Sequence, residues 1–88
     1  MDTLTAMRVF AAVVESGSFA AAADRMDLSR AMTSKHVAHL EQHLGTRLLQ
    51  RSTRRVALTE SGSAYYERCT TVLDALQEAE DEIGRAHV

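Results

Sequence analysis

Apolar residues recur at helical spacing in four stretches of this chain, with capping or turn residues between them. In the first, "DTLTAMRVFAAVVESGS", Leu4, Met7, Phe10, Ala11 and Val14 form one stripe. Ala6, Val9 and Val13 form a second stripe, about 120° away by the 3.6-residue period. Thr5, Arg8, Ala12 and Glu15 are left for solvent. The spacing predicts helix 1, capped by Asp2 or Thr3 and ended by Gly17. Two apolar faces need two sets of neighbours. A second chain is one candidate cover, which puts Val9 and Val13 on a dimer face.

Ser18 caps a short second helix, "FAAAADRM", with Phe19, Ala22, Ala23 and Met26 facing inward. The alanines allow another helix to come close. Asp27-Leu28 is a tight connection, and Ser29 caps helix 3, "RAMTSKHVAHLEQHL", closed by Gly45. Its inner face is Thr33, Val37, Leu40 and Leu44; its outer face is Ala31, Lys35, Ala38 and Gln42. Two helices joined by a short turn, the second apolar inside and weakly basic outside, form a helix-turn-helix. The second helix of that motif lies in a major groove.

"LLQRS" and "VAL" are both short and strand-capable, with Thr53, Arg54 and Arg55 between them, and predict a small hairpin, or wing. Val56 and Leu58 would pin it to the core. Thr59 then caps helix 4, with Glu60 favourably placed in its first turn. Helix 4 is expected over about residues 59–83. Tyr65, Cys69, Val72, Leu76, Ala79 and Ile83 follow one another at spacings of 4, 3, 4, 3 and 4, a heptad seam. Its other sides are acidic. A helix of this length cannot bury itself in so small a domain, so it is expected to pair with a copy of itself.

Charge sharpens this reading. The net charge is −2, yet residues 1–59 hold eight basic and five acidic side chains, and residues 60–88 two and seven. Arg47, Arg51, Arg54 and Arg55 crowd together and need an anion. A basic middle and an acidic tail make overall charge a poor guide, because nucleic-acid binding depends on clustering. The lone cysteine excludes an internal disulfide and fits a reducing cytoplasm. No apolar run is long enough to span a membrane, and the N-terminus lacks the pattern of a secretion signal. No nucleophile–base or carboxylate pair points to an enzyme.

At this point the chain resembles the N-terminal DNA-binding domain of LysR-type transcriptional regulators. The matching pieces are "FAAVVESGSFAAAADRM", "LSRAMTSKHVAHLEQHLG" and "RLLQRSTRRVALTESG", with Phe19, Ala22, Ala23, Ser29, Ser34, Leu40, Glu41, Leu44, Gly45, Arg51, Leu58, Thr59 and Gly62 in register. The resemblance implies a mainly α fold: a winged helix-turn-helix over residues 1–58, then a dimerising linker helix over 59–88. It also implies a C-terminal domain binding a small-molecule effector, so the chain is expected to be a fragment without that domain and without a cofactor of its own. It further allows a tetramer of the full-length protein.

The resemblance places Arg30, Ala31, Ser34 and Lys35 where a recognition helix touches DNA, and Arg54 where the wing enters the minor groove. Arg51 is a candidate for a phosphate or an acid, and Arg55 shares the arginine cluster at the wing. Ser18, Ser29, Thr33 and Ser52 are candidate phosphate donors, and His39 is expected near phosphate. The family commonly has Gln-Pro where Arg30-Ala31 stand here. Arginine's fork matches guanine where glutamine matches adenine. Lys35 replaces a common Arg, weakening bidentate reading there.

The expected function is sequence-specific binding of double-stranded DNA by a homodimer. Tyr65, Cys69, Val72, Leu76, Ala79 and Ile83 would form the seam. Two rivals stand beside it: a protein-interaction adaptor on the same scaffold, and a metal sensor using His36, His39 and His43. The histidine spacings allow the second, but no Cys or carboxylate cluster completes a site.

Overall fold

A computed structural model describes residues 2–50 and 55–86. The chain runs α1 (Thr3–Ser16), α2 (Phe19–Met26), α3 (Arg30–Leu44), β1 (Leu49–Gln50), β2 (Ala57–Leu58) and α4 (Glu60–Ala86). This is the mainly α, winged arrangement the pattern predicts. Each helix start is held by a short polar side chain. Asp2 accepts from the Thr5 amide, Ser18 from Ala21, Ser29 from Met32 and Thr59 from Gly62. Gly17 and Gly45 stop α1 and α3 in the left-handed conformation. Asp27 takes the same conformation between α2 and α3, at φ 55°, a cost that a short polar side chain tolerates.

The core gathers around α1, which packs against α2, α3 and α4. Ala6, Val9, Phe10, Ala12 and Val13 are buried there with Ala22, Val37, Leu40, Leu48, Leu49 and Cys69. Phe10, Leu40 and Leu48 are the largest fully buried side chains, each stabilising the fold by about 1.5–3 kcal/mol. The Phe10 ring lies 5.9 Å from that of Tyr65 and 6.4 Å from that of Tyr66, which ties the start of α4 to α1.

This packing corrects part of the sequence reading. Val9 and Val13 are fully buried inside their own chain and cannot form a dimer face. Cys69, expected on the seam, is also fully buried and belongs to the same core. The physical reason is shared: α1 is wrapped by its own chain, with Val9 and Val13 in one core cluster with residues of α2, α3 and α4, and the first turns of α4 close on α1 through Tyr65 and Tyr66 against Phe10. Ala12, expected to be wet, is buried, whereas Leu44, expected to face inward, is partly exposed. The core therefore extends past residue 58 into α4.

The wing is a two-stranded antiparallel ladder pairing Leu49 with Leu58 and Gln50 with Ala57. Leu48 and Leu49 are buried and anchor it. The Glu41 carboxylate, on α3, accepts from the amides of Leu48 (2.8 Å) and Leu49 (3.2 Å). The Thr59 hydroxyl donates to the Arg47 carbonyl at 2.6 Å, and its amide donates to the Leu48 carbonyl at 3.0 Å. A Cβ at Gly62 would collide with that Leu48 carbonyl, so glycine is what lets α4 lie against the strand entry.

The 27 residues of α4 extend about 40 Å, within a molecule 49 Å in its longest dimension. Its first half packs on α1. On its other side and toward its end, Val72 and Ile83 are 47% and 60% exposed.

Candidate nucleic-acid interface

α3 divides its faces cleanly. Thr33, His36, Val37, Leu40 and Glu41 are buried against the body. Arg30, Ala31, Lys35, Ala38 and Gln42 are exposed, and Ser34 is half-buried beside them. Arg30 and Lys35 bracket two small residues, Ala31 and Ser34, so the backbone of α3 can come close to a flat partner. The helix is held rigidly by its Ser29 cap, by Glu41 at the wing and by the buried inner face. That rigidity allows its outer side chains to act as a fixed pattern of donors.

Among the predicted phosphate donors, Ser18 and Ser29 use their oxygens to accept from helix amides, which leaves each hydroxyl proton available to donate outward. Thr33 is a correction. It is fully buried, and its hydroxyl donates to the Ser29 carbonyl at 2.9 Å, so it cannot reach a phosphate. Position 33 lies on the core side of α3, and the hydroxyl is satisfied within the helix.

Arg55 is exposed two residues before β2. Arg51, Ser52 and Arg54 lie outside the described residues. Arg47 is exposed just beyond the C-terminus of α3. Arg25 is engaged elsewhere: its guanidinium lies 2.7 Å from Glu15, which also accepts from the Tyr66 hydroxyl at 2.9 Å. That chain ties α2, α1 and α4 together.

The three histidines of α3 do not converge. His36 is buried and, among the described residues, its Nδ1 has no hydrogen-bond partner. His39 and His43 stack on one another, with ring centroids 6.3 Å apart. Among the described residues no group of His, Cys, Asp and Glu is placed to share a metal ion, and no helix is long and apolar enough to cross a membrane. Burial pushes the Cys69 thiol up from its ordinary range, as suits a packing residue.

Sequence reasoning missed Glu41 as the residue that fixes α3 to the wing. Glu41 stands only within the family pattern, and a glutamate within a helix gives no local sign that its partners lie seven and eight residues ahead.

Residues 4–63 match the family model described as "Bacterial regulatory helix-turn-helix protein, lysR family". Among curated proteins, an HTH-type transcriptional repressor of Pseudomonas aeruginosa is 50% identical over 80 residues, covering 91% of this chain and 25% of that protein. The HTH-type transcriptional activator AaeR of Escherichia coli is 43% identical over 83 residues, covering 94% of this chain and 27% of that protein. The chain thus spans about a quarter of the length of these relatives. Among solved structures, the BenM DNA-binding domain in complex with catB site 1 DNA superposes with a TM-score of 0.91 at 32% identity, covering 98% of this chain and 96% of that one. The CbnR DNA-binding domain in complex with DNA gives 0.86 at 33% identity, with both chains covered in full.

Proposed function

The chain belongs to the lysR family of bacterial regulatory helix-turn-helix proteins, and from that premise we propose that it binds double-stranded DNA sequence-specifically, as the DNA-reading part of a transcriptional regulator. The observation that carries this reading is the outer face of α3, where Arg30 and Lys35 flank small residues on a rigid helix. Its likeness to two domains solved on DNA supports it. In this reading α3 lies in the major groove, with Arg30, Ala31, Ser34 and Lys35 at base edges. Ser18, Ser29 and His39 meet phosphates. The wing, with Arg54 and Arg55 and the neighbouring Arg51 and Ser52, follows the minor groove, whose negative potential answers the arginine cluster.

The regulator acts as a homodimer, joined by the part of α4 that its own core does not cover: Val72, Leu76, Ala79 and Ile83, with Tyr65 at the edge. Residues 1–58 read DNA and 59–88 link and dimerise. Pairing of the longer protein into a tetramer is part of the same proposal. A small-molecule effector would be bound by protein outside this chain, and no cofactor or catalysis is assigned to the chain itself. The relatives include both a repressor and an activator, so the direction of control lies outside the DNA-reading fold. The regulator is placed in the cytoplasm, where bacterial DNA is met.

A salt titration separates this function from a protein-interaction adaptor. Phosphate contacts make the logarithm of DNA affinity fall with the logarithm of salt, by about 0.9 per contact. A slope of several units is expected. A slope near zero would favour the adaptor.

A further inference from the structure

A shallow cleft opens at the C-terminal end of α3, lined by Ala38, Glu41, Gln42, Gly45, Thr46 and Arg47. We propose that this cleft is a second binding site for the DNA backbone, in which Arg47, Gln42 and Thr46 hold a phosphate at the far edge of the major groove. The inference rests on the DNA-binding reading above and extends it to Gln42 and Thr46, and it gives Arg47, counted above only within the arginine cluster, a phosphate of its own.

The dimensions call for such a contact. α3 has 15 residues, so it is about 22 Å long, whereas the major groove is about 12 Å wide. With its first turns among the bases, its other end stands over the strand that borders the groove. Ala38 and Gln42 continue the outer face that begins with Ala31 and Lys35, so the cleft is open on the side that faces the duplex.

The chemistry suits an anion. Gln42 brings an amide, Thr46 a hydroxyl and Arg47 a guanidinium, and all three residues are exposed. The one carboxylate in the lining, Glu41, is 8% exposed and directed at the Leu48 and Leu49 amides. A helix C-terminus carries a partial negative charge, and the carbonyls of Glu41 and Gln42 there already accept from the Thr46 and Gly45 amides. A phosphate at this end is therefore tolerable only beside a cation, and Arg47 supplies it. Arg47 is also well mounted. Its carbonyl accepts from Thr59 at 2.6 Å, and the next residue is fixed through its amide to Glu41 and through its carbonyl to Thr59. The side chain thus starts from a rigid point.

The test measures binding of wild type, Arg47→Ala, Arg47→Lys and Gln42→Ala to a duplex selected from a random pool and to a scrambled duplex, across a salt series. Arg47→Ala should weaken both duplexes alike, by about eightfold at 0.1 M salt, and reduce the salt slope by about 0.9. Arg47→Lys should keep most of the slope, and Gln42→Ala should weaken both duplexes without changing it. Circular dichroism should show Arg47→Ala folded, since only its backbone serves the fold. An unchanged affinity and slope in folded Arg47→Ala would overturn the site. A changed base preference would overturn it too, because Arg47 would then read bases. If wild type itself binds no duplex, the DNA-binding reading fails and this inference falls with it.

Discussion

Arg30 is the residue whose chemistry departs most from the family pattern, and its exposed place at the first turn of α3 puts it within reach of base edges. Arginine's fork matches the O6 and N7 of guanine. A guanine is therefore expected at one fixed position in each half-site. Arg30→Gln should move the selected base toward adenine, with a change in discrimination of about 1–3 kcal/mol, read by repeating the selection with the variant. An unchanged motif with a shallower salt slope would make Arg30 a phosphate contact. Glu41 works on the other side of the same helix. Removing its carboxylate strands the buried amides of Leu48 and Leu49, each at a cost of about 1–3 kcal/mol. Glu41→Ala should lower the urea midpoint accordingly, and Glu41→Gln, which keeps an acceptor oxygen, should lower it less. Equal stability of wild type and Glu41→Ala would show that the two amides find other partners. Cys69 should react with a thiol reagent only slowly in the native protein and readily in urea, because it is buried and its thiolate is disfavoured.

At the scale of elements, the two helices of the helix-turn-helix were legible because local signals agreed. Ser18, Ser29 and Gly45 mark ends, and a 3.6-residue apolar period runs between them. The observed bounds Phe19–Met26 and Arg30–Leu44 match the stretches those signals define. The division of α1 was not legible. A stripe such as Val9 and Val13 says that a face is covered but not by what, and here the chain's own core covers it. The heptad pattern hid this, since Tyr65 and Cys69 keep seam spacing while packing on Phe10 and its neighbours. The Glu41 tie and the close approach at Gly62 were hidden for another reason: both join residues across a chain reversal, where periodicity carries no information. Gly62→Ala should show what the approach is worth. The added methyl meets backbone rather than a movable side chain, so a loss of roughly 1–3 kcal/mol is expected in a thermal melt. Unchanged stability would mean that α4 can shift without disturbing the wing.

For the whole molecule, the proposed regulator would meet partners through the outer face of α3 with the wing, and through the projecting apolar positions of α4. They lie on different elements, so assembly and DNA reading should be separable. Leu76→Asp should turn a dimer into a 9.7 kDa monomer in the ultracentrifuge while each monomer keeps its fold, because the core ends nearer the start of α4. A wild-type monomer at micromolar concentration would count against the seam. Monomeric Leu76→Asp should still bind DNA, but weakly, since it meets one half-site at a time. Whether the fixed face of α3 reads sequence is measured most directly by the ratio of affinities for a duplex selected from a random pool and for its scrambled counterpart, at one physiological salt concentration. Specific binding should exceed non-specific by about 10³-fold or more, and Arg30→Ala with Lys35→Ala should collapse the ratio. Equal affinity of wild type for the two duplexes would contradict the account.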